Sequence, residues 1–148
     1  MSESNAVRIT GVKALGEYRL SLHFLKGKTY IVDLRELVHR LKGLRPLRDT
    51  ALFARVEAGA GGHSIAWPGD IDVGADRLFE IALEQNGRAD TVQFLRWRWR
   101  HGLSLQATAD ALGLSRRQVA YYSSGEHKVP HTVLLACKGW EVEQQSVA

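Results

Sequence analysis

The clearest pattern in the chain is an alternation. In residues 17–25, EYRLSLHFL, Tyr18, Leu20, Leu22 and Phe24 fall on one side, and Arg19, Ser21 and His23 on the other. A period of two is that of a half-buried strand. Residues 6–14 predict a strand before it. Lys26-Gly27-Lys28 predicts a turn, and Thr29–Leu34 the returning strand of a small antiparallel meander with one wet face. The period then changes. Asp33 is placed to cap a helix whose inner stripe is Leu34, Leu37, Val38 and Leu41. Gly43 should stop that helix, with Pro46 in the loop that follows. Asp49–Phe53 is ambiguous. Phe53–Glu57 and His63–Trp67 read as two strands around the glycine-rich connection Ala58–Gly62. A turn at Trp67–Asp70, an extended piece at Ile71–Val73 and a helix over Gly74–Gln85 follow, with Leu78, Phe79, Ala82 and Leu83 inward. Strands and helices mix without regular alternation, so the expected class is α+β.

The strand pattern ends at residue 86. NGRAD (86–90) reads as a linker, dividing the chain into residues 1–86, an α+β domain, and residues 87–148, an all-α four-helix domain. Thr91–His101 predicts a helix with Phe94 and Trp97 on one face. Arg96 and Arg100 lie on another, either touching phosphates or forming a solvated basic face. Leu103–Gly125 reads as two short helices joined by a tight turn. Ser104 caps the first, Gly113 ends it, Ser115 caps the second and Gly125 ends that. Val119 and Tyr122 point inward, leaving Arg116, Arg117, Gln118 and Tyr121 outward, a set suited to phosphate oxygens and base edges. Pro130 opens a last helix with Val133, Leu134, Cys137 and Trp140 facing the bundle. The tail, residues 141–148, is expected to fray.

The stretch Leu103–Gly125 resembles the helix-turn-helix of the phage-repressor and Cro family, the XRE-type regulators. The resemblance lies in Leu103-Ser104, Ala109, Gly113-Leu114-Ser115, Val119 and Gly125. It implies that residues 115–124 are a recognition helix for the major groove. It also implies that Ser104, Gln106, Ser115, Arg116, Arg117, Gln118 and Tyr121 contact double-stranded DNA. Three positions depart from that pattern. Leu105 stands where many relatives have Gln, Thr108 replaces an aliphatic residue, and Ser123 replaces the Glu that pairs with an upstream arginine, here Arg98. The half containing EYRLSLHFLKGKTYIVDL, FARVE and IAWPGDIDVGADRLFE resembles a bacterial α+β domain family of unknown function. That family occurs alone, fused to such a helix-turn-helix, or beside toxin-like partners.

Composition narrows the rest. The single cysteine, Cys137, rules out a disulfide framework. MSESNAVRIT shows no secretory pattern, and no apolar run is long enough to span a membrane, so a cytoplasmic location is expected. The net charge is +4, of which residues 1–86 contribute +1 and residues 87–148 contribute +3. That balance suits a polyanionic partner. His127 and His131 are four apart, but Pro130 interrupts any helix through both. Asp70, Asp72 and Asp76 read as caps and solvated charge rather than a magnesium site. No phosphate-cradle or nucleophile motif is present. The expectation is therefore a DNA-binding transcriptional regulator, with no cofactor or metal and no enzymatic activity. It would act as a homodimer, because one module buries little surface on DNA. The alternatives are an antitoxin-like adaptor whose N-terminal domain binds a partner protein, and a scaffold with no nucleic-acid role.

Overall fold

A computed structural model describes residues 7–25 and 27–146. Residue 6 of the first expected strand, Lys26 of the expected turn and residues 147–148 of the expected frayed tail lie outside the described residues. The fold is α+β, and the chain divides into two compact units, Ala6–Asn86 and a second holding Gly87–Ala148.

In the first unit β1 (Ile9–Gly16), β2 (Arg19–Phe24) and β3 (Thr29–Asp33) form an antiparallel meander. Leu22 lies opposite both Val12 and Tyr30, and Leu20 opposite Val32. Leu20, Leu22 and Val32 are fully buried, as the period-two pattern requires. Tyr18 departs from that pattern. Glu17 and Tyr18 both have positive φ, 54° and 64°, so they form the hairpin turn and not the start of β2. The Tyr18 ring meets the His39 and Phe53 rings edge-on, and its hydroxyl donates to the Arg48 carbonyl at 2.6 Å. The exposed edge of β3 is covered by amides. Gln85 both accepts from the Asp33 N–H and donates to its carbonyl, at 2.7 and 2.9 Å. Asn86 donates to Ile31 O. An edge paired in this way offers less to a passing strand.

The segment after β3 is more helical than expected. α1 (Arg35–Arg40) begins after Leu34, and the Asp33 carboxylate accepts from Arg35 N at 2.8 Å. Gly43 and Pro46 are not a stop and a loop: both lie inside a 3-10 helix, Lys42–Arg48. That helix forms because Leu44 and Leu47, three apart, are both buried, and three residues per turn put them on one side. Asp49 caps α2 (Thr50–Phe53), accepting from Ala51 N at 3.0 Å. The helix consumes Phe53, so FARVE is not a strand, and only Glu57–Ala58 pairs as β4. β4 joins β5 (Ser64–Trp67) and β6 (Ile71–Gly74) in a second antiparallel sheet. The turn between β5 and β6 is expected from sequence, and Ile71–Val73 proves to be a paired strand. Gly62, at φ +75°, lies so close to the Ile9 backbone that any Cβ would collide with it. α3 (Ala75–Gln85) closes the unit with Leu78, Ala82 and Leu83 fully buried and Phe79 buried.

The second unit contains α4 (Ala89–Arg100), α5 (Leu105–Leu112), α6 (Arg116–Ser124) and α7 (His131–Ser146). Phe94, Trp97, Ala109, Val119, Tyr122, Val129, Leu134 and Cys137 form its core. The expected linker is partly structural. Arg88 donates to the carbonyls of Gly125 at 2.6 Å and His127 at 3.2 Å, and the Asp90 carboxylate accepts from Val129 N at 2.7 Å. Both tie the loop before α7 to the start of α4. Pro130 precedes α7 rather than opening it, since its carbonyl accepts from Val133 and Leu134. Nor does the chain fray at residue 141: α7 stays helical to Ser146. Trp140 meets the Trp97 ring edge-on at 5.5 Å, and the Glu141 carboxylate holds Arg100 at 2.8 Å and His101 at 2.7 Å. Among the described residues no helix is long and apolar enough to cross a membrane.

Candidate nucleic-acid interface

The segment from α5 to α6 is held at each of its ends by a specific backbone device. The Ser104 hydroxyl accepts from Ala107 N at 3.0 Å, and the Ser115 hydroxyl accepts from Gln118 N at the same distance. Each satisfies a donor that a helix start leaves open. Gly113 (φ +70°) and Gly125 (φ +83°) end the two helices in the left-handed region, which disfavours any side chain. Between these points Val119 is fully buried and Tyr122 is 7% exposed, and Tyr122 meets Phe94 edge-on at 5.8 Å. The inner side of α6 is thus fixed, which determines what the outer side presents.

Arg116 and Arg117 are exposed there, and Gln118 and Tyr121 half-buried. The Arg117 Nε donates to the Tyr121 hydroxyl at 2.9 Å, and the guanidinium lies 5.5 Å from the Tyr121 ring centre. Gln118 Nε2 lies 3.4 Å from His127 Nδ1, and the Tyr121 and His127 rings are 4.4 Å apart. His127 therefore belongs to this surface, although the sequence spacing pointed only to His131 four residues on. The available signal was Gly125: its left-handed turn sends the chain back over α6, and His127 N donates to Tyr121 O at 3.2 Å. Ser104 and Ser115 each use one acceptor position of the hydroxyl in a cap. Gln106 is exposed at the start of α5 and donates to Asp110 at 3.0 Å.

The α4 arginines separate into different roles. Arg100 is held by Glu141, which lowers the Glu141 pKa chiefly through the His101 hydrogen bond and also through Arg100. Arg96 is exposed. Arg98 is the largest fully buried side chain described, 2% exposed. Its Nη1 donates to Ser123 Oγ at 2.8 Å, its Nε to Thr108 Oγ1 at 3.2 Å and its Nη2 to the Leu103 carbonyl at 3.2 Å. Two of the departures seen in the sequence, Thr108 and Ser123, thus meet at one buried guanidinium. Their hydroxyls accept from it, which the aliphatic residue and the carboxylate they replace would do differently or not at all. Cys137 is buried, and burial pushes its thiol up to about 12.

An antiparallel α+β unit and a helical unit with an outward basic helix together define a small two-unit protein class. The chain belongs to the DUF2442 family, a family of proteins of unknown function, whose pattern it matches over residues 9–84. It is also similar to the crystal structure of a protein of Nitrosomonas europaea ATCC 19718, described as a putative DNA binding protein. That likeness has 37% identity and a TM-score of 0.71, over 95% of this chain and 90% of the other. No curated protein matches the chain.

Proposed function

We propose that the protein is a cytoplasmic, non-enzymatic, sequence-specific DNA-binding regulator that uses α5 and α6 as an XRE-type helix-turn-helix. The observation that carries this reading is α6 itself. Val119 and Tyr122 anchor one side, and Arg116, Arg117, Gln118 and Tyr121 stand on the other, the arginines exposed. Guanidinium and amide groups on a short rigid helix are the donors that guanine and adenine edges accept in a major groove. The N-terminal ends of α5 and α6, with Ser104, Gln106 and Ser115, set register on phosphates. The Nitrosomonas structure, 37% identical, supports the same direction. A homodimer is part of the proposal. Leu135 and Val142 are exposed on α7, seven residues and so two turns apart, which gives two copies an apolar contact.

The test begins with selection of a preferred duplex from random sequences. Arg117→Ala should then weaken binding to that duplex by about 1–3 kcal/mol. Binding to a scrambled duplex should change less, and equal losses on both would reduce Arg117 to a phosphate contact. A second reading, an antitoxin-like adaptor, draws on Leu25 and Ile31, about half exposed in the first unit. It predicts a stable complex with a partner protein that Ile31→Lys breaks.

A further inference from the structure

The charge of the first half is not evenly spread. Residues 35–55 hold six Lys/Arg against two Asp/Glu, a net of +4, while the remainder of residues 1–86 nets −3. All six cations, Arg35, Arg40, Lys42, Arg45, Arg48 and Arg55, are exposed. The near-neutral total of that half therefore conceals a strongly basic segment.

The 3-10 helix Lys42–Arg48 arranges three of these charges. With three residues per turn, positions three apart superpose. Leu44 and Leu47 occupy the buried side, and Lys42, Arg45 and Arg48 fall in one column on another. A rise of about 2 Å per residue spaces them about 6 Å apart, so the column spans about 12 Å. The third side carries only Gly43 and Pro46, both exposed. The two acids of the segment are engaged elsewhere: Glu36 faces Arg40 at 3.8 Å, and Asp49 caps α2. Arg48 is braced at the base of the column, donating to His39 O at 3.1 Å, while its own carbonyl accepts from Tyr18. Arg35 lies 5.5 Å from the same Tyr18 ring.

We infer that this column is a second phosphate-binding surface, separate from α6, that takes the backbone of duplex DNA without reading its sequence. One DNA strand carries a phosphate about every 3.4 Å along the axis, so a 12 Å column faces roughly three or four of them. A protein partner is less suited. Interface hot spots centre on well-packed, desolvated pockets, and on the exposed sides of the 3-10 helix only Gly43 and Pro46 stand beside the cations. A lipid surface is less suited, because Gly43 and Pro46 give the helix no large apolar side chain to insert. The choice of duplex DNA as the polyanion rests on the function proposed above.

The experiment measures binding of the full chain to a labelled mixed-sequence duplex and to the selected duplex across a salt series. Lys42→Gln/Arg45→Gln removes two phosphate contacts. The slope of log K against log[salt] should fall by about 1.8, a loss of roughly 60-fold at about 0.1 M salt, equally on both duplexes. The charge-preserving pair Lys42→Arg/Arg45→Lys should keep the wild-type slope. An unchanged slope in the Gln pair overturns the inference, even if that variant loses an acidic protein partner. Arg116→Gln/Arg117→Gln separates the two readings. Loss of preference for the selected duplex, with the Gln-pair slope unchanged, leaves α6 as the reader and removes the column. A lost slope in the Gln pair, with sequence preference intact in the α6 pair, supports the column and removes α6. No salt-dependent duplex binding by the wild type overturns both.

Discussion

Ser123→Ala tests the assembly of the α5–α6 segment most directly. Arg98 is carried by α4, and its guanidinium donates to Ser123 on α6, to Thr108 on α5 and to the Leu103 carbonyl between them. The Ser123 contact is the shortest of the three, at 2.8 Å. Removing the hydroxyl leaves a cationic N–H in a part-buried site with its acceptor gone. A hydrogen bond to a charged group is worth about 1.5–3 kcal/mol. The partial exposure of Ser123 puts this one in the lower half of that range. Alanine returns about 0.5 kcal/mol through its better helix propensity. The net expectation is a loss of about 1–2 kcal/mol. Denaturant unfolding followed by tryptophan fluorescence measures it well, since Trp97, Trp99 and Trp140 all lie in residues 87–148. The same substitution in an Arg98→Met background should cost about 1 kcal/mol less, because the donor is absent. A loss under about 0.5 kcal/mol, or an equal loss in both backgrounds, would refute the clamp.

Three other outcomes follow from named contacts. Glu141 has its folded pKa lowered, first by the His101 hydrogen bond and then by Arg100. Its contribution to stability is therefore present above the ordinary carboxylate pKa and is lost as pH falls through the lowered one. Wild type should lose stability relative to Glu141→Gln along that acid limb, read by urea midpoints at stepped pH. The Cys137 thiol, held up to about 12 by burial, should resist alkylation at neutral pH in the native protein and react readily in denaturant. Labelling at the rate of a free thiol under native conditions would show that the core around it opens. Gly113→Ala meets no neighbouring atom within 4 Å, so its cost is the left-handed conformation alone. That is about 1–2 kcal/mol, measured by chemical denaturation, and an unchanged midpoint would mean that the turn had relaxed.

The local devices were legible. The caps at Ser104 and Ser115, the glycines at 113 and 125, and the alternation in β2 each depend on residues within a few positions. α3 followed its apolar stripe for the same reason, and the outward set on α6 followed once Val119 and Tyr122 were placed inside. Errors arose where two local signals competed. Gly43 and Pro46 signal a break, but the burial of Leu44 and Leu47 stabilises a tighter helix through both. Phe53 and Val56 signal a strand, but Asp49 starts a helix first. The place of His127 on the α6 surface was not legible, because its neighbours are Tyr121 and Gln118 of the preceding helix, reached only after the chain turns back.

The amino-acid order by itself determined the α+β class, the caps and the polar side of α6, because these depend on backbone dihedrals and on periodicity within one element. Folding in three dimensions decided the rest. Arg98 found acceptors up to 25 residues away, and Glu141 holds Arg100 at the end of α4 and His101 just after it, 41 and 40 positions earlier. Three cations of the first half became a column only when buried leucines imposed a three-residue turn. A long polar side chain can reach many partners along an extended chain. Which of them it meets depends on the burial of the apolar residues around it, and that burial belongs to the whole unit.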